Sequence, residues 1–223
     1  MEIVEKEMPS IVLSDVVMPR MSGTELCKKI KGEFNTCHIP VVLLTALDMP
    51  EQHLKGLLYG ADDYICKPFR PQILLTRCNN IIRSRKMLYN QFAQKAEIDL
   101  TLLATNKLDK EFLNKVTTII DKNISDPDIK GESIANYVGM SRMNLHRKLK
   151  ALVGLSSGDF IRTVRLENAK KELLNTNKTI TEITYDLGFS SPSYFYICFV
   201  KKFGVSPTEF RECHETPAKE SEA

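Results

Sequence analysis

Apolar residues recur along this chain with two different periods, and the change between them divides it. From Pro9 to about Arg85 short apolar runs alternate with amphipathic stretches; the runs are IVLSD at Ile11–Asp15, VVLLT at Val41–Thr45 and YIC at Tyr64–Cys66. Runs of this length, rich in Val and Ile and each followed by a turn and a helical stretch, predict buried strands of a parallel α/β layer. Beyond a polar, partly helical connector the helical period takes over as far as Arg211. There Leu145, Leu149 and Leu152 recur at helical spacing and predict one buried stripe. The final residues carry Pro, Glu and Ser and predict a disordered tail.

The helical part repeats itself about fifty residues apart. Ile134–Ser141 reads IANYVGMS and Ile183–Ser190 reads ITYDLGFS; GLSSGDF at Gly154–Phe160 then returns as GVSPTEF at Gly204–Phe210. In both copies an apolar-spaced helix stops at a glycine, Gly139 or Gly188, the residue best suited to a left-handed turn. A serine, Ser141 or Ser190, then opens another helix. That is the layout of a helix-turn-helix used twice. Ser156 with Asp159, Thr179 with Glu182 and Ser206 with Glu209 have the spacing of a capping box, and Pro207 takes a first helical position. One helix over 156–175 therefore joins the units. At 1.5 Å per residue it spans roughly 25–30 Å, close to one turn of B-DNA, so a single chain would lay two reading helices in successive major grooves.

Composition narrows the classes without choosing among them. The 223 residues are 43% hydrophobic, enough for one or two ordinary cores. The absence of a long apolar run and of a signal-like start predicts a soluble, cytoplasmic protein without membrane contact. Six cysteines with no CxxC pair, spaced away from the four histidines, predict reduced thiols and neither a disulfide framework nor a zinc site. A net charge of +3 is too small to indicate nucleic acid, so the local distribution has to carry that argument. Arg142, Arg147, Lys148 and Lys150 occur without an acidic residue, and Met143, His146, Arg147 and Lys150 project opposite the leucine stripe. Arg forks onto guanine edges and Lys mostly finds phosphate. A solvated basic face is the plainer reading of such a helix alone; the duplicated motif decides for DNA.

In the α/β part Asp15 ends the first strand, Thr45 ends the second and Lys67 follows the third. Sheets of this kind place their ligands at the C-terminal ends of strands. A carboxylate, a hydroxyl and an ammonium there suit phosphoryl transfer to Asp15, with Thr45 and Lys67 compensating the charge of the oxygens.

The strings GMS, GLS, FIRTVRL (Phe160–Leu166), DLGF (Asp186–Phe189), SYF (Ser193–Phe195) and KKFGVSPTEFR (Lys201–Arg211) resemble the DNA-binding domain of the AraC family of transcription factors. The resemblance implies base contacts from Met143, His146 and Arg147, with Arg142, Asn144 and Lys150 beside them. On the second reading helix it implies Ser191, Ser193, Tyr194 and Tyr196, with Lys201 on phosphate. Ile197 and Val200 depart from the polar or basic residues many relatives carry, which shifts the second helix toward phosphate and shape.

LSDVVMPRMSG, VVLLTA and GADDYICKPF resemble the receiver domain of bacterial response regulators. That resemblance implies a flavodoxin-like parallel sheet of which the third to fifth strands are here and the first are missing. It also implies Asp15 as phospho-acceptor, Thr45, Tyr64 and Lys67 as phosphate-sensing residues, and a cis Pro68. An intact receiver holds Mg²⁺ with an acidic pair from its first strand; here Asp15 would hold the ion almost alone. Asp62 and Asp63 precede the third strand, and at ~3.3 Å per residue they lie roughly 13 Å from Lys67. Slow or absent phosphorylation is expected, together with an unpaired apolar edge at IVLSD.

The expected organisation is a truncated receiver at 1–86, a linker at 87–108, an AraC-type domain at 109–212 and a tail at 213–223. Helix-turn-helix units are expected at 129–153 and 179–203. The expected function is sequence-specific transcription regulation within a two-component phosphorelay, without enzymatic activity. Double-stranded DNA, a histidine kinase on the same parent polypeptide, RNA polymerase and a second copy of the chain are the expected partners. The alternative keeps DNA binding and makes the receiver a non-phosphorylated interaction or dimerisation module. An alkyl-transferring repair enzyme would need a reactive cysteine, and the sequence offers only Cys213 beside His214.

Overall fold

The computed structural model describes residues 1–46, 59–94 and 106–215. Its elements are α1 (Glu2–Glu7), β1 (Val12–Asp15), α2 (Gly23–Gly32), β2 (Val41–Ala46), β3 (Asp63–Lys67), α3 (Pro71–Gln94) and α4 (Lys107–Lys122). They continue with α5 (Gly131–Val138), α6 (Arg142–Val153), α7 (Ser157–Asn175), α8 (Ile180–Asp186), α9 (Pro192–Phe203) and α10 (Pro207–Glu215). Among the described residues, 1–46, 59–93, 106–113 and 143–154 make one compact unit, and 114–142 with 155–215 make a second. The helical stretch expected after the second strand, much of the expected linker and the tail from 216 onward lie outside the described residues.

In the first unit β1, β2 and β3 form a parallel sheet in that order, with Asp15 beside Leu44 and Lys67 beside Ala46. Val41, Val42 and Leu43 are buried on both faces, which explains the unbroken apolar run. β1 is an edge strand among the described residues, and its Leu13 is exposed. Val4, Val16, Cys27, Ile30 and Ile39 pack with Val41 and Leu43 on one face. Ser22 and Glu25 form the capping box that starts α2. Gly23 is required there, because a Cβ would stand 2.1 Å from the Asp15 carbonyl oxygen.

The thiols of Cys27 and Cys37 are fully buried, and burial pushes both up to about 11. Their stabilising contribution is therefore complete below the ordinary thiol value of ~8.5 and is lost as pH rises through about 11. At pH 8 a maleimide should label the exposed Cys213 of the native protein and spare these two. Rapid modification of native Cys37, read by mass spectrometry, would contradict this packing.

In the second unit α7 runs unbroken for 19 residues, starting at the Ser156 cap. Thr179 and Glu182 form the box that opens α8, and Ser206 and Glu209 exchange the same two bonds at α10. Gly139 ends α5 in the left-handed region with φ 76°. One boundary differs from expectation. Ser191, and not Ser190, caps α9, accepting from the Tyr194 N–H with Pro192 in the first turn, because proline suits a position whose N–H has no helical acceptor. The core gathers Leu166, Ala169 and Leu173 of α7, Ile183 of α8, Phe189, and Phe195 with Phe199 of α9.

Candidate phosphate site and nucleic-acid interface

Asp15 closes β1 and Lys67 closes β3 at the same edge of the parallel sheet. The Lys67 ammonium stands 2.6 Å from Asp15 Oδ1, with both side chains half exposed. A charged pair at the C-terminal strand ends leaves a reachable carboxylate oxygen beside a fixed cation. Thr45 is buried one position before the end of β2, and its hydroxyl donates to the Ala46 carbonyl at 3.2 Å. Tyr64 is half-buried beside Leu43 in the sheet register, and burial pushes its phenol up to about 12. The Lys67–Pro68 peptide is cis.

Receivers generally use Mg²⁺; among the described residues Asp15 belongs to no group of side chains that would hold it. Asp62 takes the Lys31 ammonium at 2.6 Å and the Val41 N–H at 2.8 Å, while Asp63 takes Arg77 at 2.8 Å. Asp63 is the first residue of β3 and Lys67 the last, so this acidic pair sits away from Asp15. No cluster of three acidic, His or Cys side chains suited to a metal occurs among the described residues.

On α6 the outer face carries Arg142, Met143, His146 and Lys150, all exposed, with Asn144 half-buried. Leu145, Leu149 and Leu152 are buried as their spacing requires. Lys148 overturns one expectation. Far from joining an exposed basic face, it is fully buried and pairs with the equally buried Asp109 at 3.2 Å. Its ammonium also donates to the Phe34 carbonyl and to Cys37 Sγ, the latter at 3.3 Å, and lies over the Phe34 and Phe112 rings at 4.6 and 4.7 Å. The reason is positional: three residues after Leu145 and four before Leu152, it belongs to the stripe itself. Arg147 is half-buried, and Nη1 donates to the Lys6 carbonyl at 2.8 Å, so one arm of its fork is engaged.

On α9 Ser193, Tyr194, Tyr196 and Lys201 are exposed, while Ser191 uses its oxygen as the helix cap. Ile197 is 63% exposed on the outer face, so its apolar side chain is presented to solvent. Reasoning from sequence also passed over Arg165 of α7, which is buried and donates to the Asp126 carbonyl. Its place four residues after the buried Ile161 was the available signal.

Residues 1–79 match the response regulator receiver domain family, and residues 134–212 match a helix-turn-helix domain family. Over 212 residues the chain is 37% identical to histidine kinase P4 of Formosa agariphila, an alignment covering 95% of this chain and 15% of that protein. Over 90 residues it is 39% identical to the response regulator PleD of Caulobacter vibrioides, 40% of this chain and 20% of PleD. The C-terminal domain of AraT, a response regulator from Geobacillus stearothermophilus, shares 32% identity over 45% of this chain and 84% of that structure, with a TM-score of 0.42. The chain thus spans under a quarter of the length of these two curated relatives. No helix among the described residues is long and apolar enough to cross a membrane. The chain joins a member of the response regulator receiver domain family at 1–79 to an AraC-type helix-turn-helix domain at 134–212.

Proposed function

We propose that this chain is the DNA-binding output of a two-component phosphorelay, in which the state of Asp15 controls transcription. The observation that carries this is the joining, in one chain, of a receiver with an Asp15–Lys67 pair at its strand ends to a helix-turn-helix domain. The receiver is assigned to 1–86 and the DNA-binding domain to 109–212. β1, β2 and β3 are read as the third to fifth strands of a flavodoxin-like receiver. α5 with α6 and α8 with α9 are read as two helix-turn-helix units, α6 and α9 being the reading helices. Arg142, Met143, Asn144, His146, Arg147 and Lys150 on the first, and Ser193, Tyr194 and Tyr196 on the second, face base edges, with Lys201 on phosphate. The Ser191 oxygen caps α9 by accepting from the Tyr194 N–H, and its O–H is left to donate to DNA. Phosphorylation acts by population shift, favouring one arrangement of Thr45 and Tyr64. A histidine kinase supplies the phosphoryl group, RNA polymerase is the target of regulation, and a second copy of the chain pairs with the first. The whole works in the cytoplasm as a non-enzymatic regulator.

Selection of duplexes from random sequence, followed by gel shifts with and without a phosphodonor, tests the reading. A recovered motif whose affinity responds to the donor supports it, and failure to enrich any motif refutes it. On the recovered site Arg147→Ala should cost ~1–3 kcal/mol and relax one base position, since the arm of its fork not bonded to Lys6 is left for a base edge. Equal weakening on every duplex would reduce Arg147 to a phosphate contact. Because among the described residues Asp15 belongs to no group of metal-binding side chains, acetyl phosphate should label it slowly or not at all in this chain. Labelling at the rate of an ordinary receiver would overturn that expectation.

A further inference from the structure

The second unit contains a cleft of about 470 Å³ whose lining is strongly cationic. Lys130, Arg142, Arg162 and Arg165 border it against one acidic side chain, Glu132. Arg162 is partly neutralised by Asp159 at 2.6 Å, so Arg165 decides the chemistry. Arg165 is 8% exposed, and while Nη2 donates to the Asp126 carbonyl, the buried Nε has no partner. A buried guanidinium with a donor left over is costly. Gly188 holds it in place: its φ is 69°, and a Cβ there would stand 2.6 Å from Nη2.

A second feature opens into the same cleft. Lys130 precedes α5 and offers no side-chain hydrogen bond to it, whereas Ser156 caps α7. The first-turn N–H groups of α5 therefore have no side-chain acceptor at the cap, at the end where the helix dipole favours negative charge. Gly131 brings this end against α7, since a Cβ there would meet Ser157 Oγ at 2.5 Å. The donors available are N–H groups on cations and backbone, which suit an anion with several oxygens.

We propose that this cleft seats one phosphate of the DNA backbone, held by Arg165 Nε, the first turn of α5 and the Lys130 ammonium. This assignment rests on the DNA-binding reading and deepens it. Such a contact fixes where the protein sits along the duplex without reading sequence.

The test begins with a duplex selected by the full chain, in which each phosphate is replaced in turn by a neutral methylphosphonate. The wild type should show a position where neutralisation weakens binding about tenfold. Lys130→Gln and Arg165→Met should each weaken binding to the unmodified duplex by a similar factor, lose the penalty at that position alone and keep the base preferences. Lys130 is exposed, so its variant remains informative if Arg165→Met fails to fold. Folded variants that keep the full penalty at every phosphate would overturn the proposal. So would pyrophosphate binding saturably to the DNA-free chain and losing affinity in Lys130→Gln, because the cleft would then serve a free anion. If the wild type enriches no duplex, the DNA-binding reading fails and the phosphate seat falls with it. That result is distinct from an enriched duplex indifferent to Lys130→Gln, which removes the seat alone.

Discussion

Replacing Lys148 by Met is expected to destabilise the first unit by about 3–5 kcal/mol, because it leaves the fully buried Asp109 without its cation. Asp109 would keep the Asn106 amide at 2.9 Å and the Cys37 thiol at 3.2 Å. Neither neutral group replaces a buried ammonium. The double variant Lys148→Met with Asp109→Leu should recover most of the loss, since apolar groups of similar volume often substitute for a buried pair at little net cost. Urea unfolding is the measurement, with the midpoint compared at equal slope. A double variant as unstable as Lys148→Met would show that packing over Phe34 and Phe112, and not the charge pair, makes Lys148 important.

Phe199→Ala should cost about 3–5 kcal/mol in the second unit and abolish specific DNA binding. Phe199 is fully buried, with its ring centroid 5.6 Å from Phe195, 4.6 Å from Phe203 and 5.7 Å from Phe210. A cavity there removes the contacts that hold α9 to α10. Ile197→Ala, two residues earlier on the exposed face, should leave stability within ~0.5 kcal/mol of the wild type. Any loss of affinity in that variant would then belong to the interface. Comparable melting of the two variants would show that the aromatic cluster does not support the reading helix.

Local patterns were readable because their causes are local. Val and Ile runs marked β1 and β2, Thr179 with Glu182 marked the start of α8, and Ser156 marked the start of α7. Each depends on residues within a few positions of one another, so spacing was sufficient. The Ser191 cap was missed by one position because Ser190 and Ser191 offer the same chemistry and Pro192 selects between them. The leucines of α6 announce their stripe by spacing, whereas the charge of Lys148 masks that it shares their period.

Sequence alone determined the strand ends that carry Asp15 and Lys67 and the Ser156 and Thr179 starts of α7 and α8, since periodicity and capping act over a single turn. Only the tertiary structure decided that Lys148 is interior, that Arg147 is engaged by Lys6, and that Arg165, on the wall of a cationic cleft, keeps a buried donor without a partner. Whether a charged side chain meets water or a partner depends on groups distant in the chain. Asp109, Phe34 and Lys6 lie far from α6 in sequence, and no local spacing announces them.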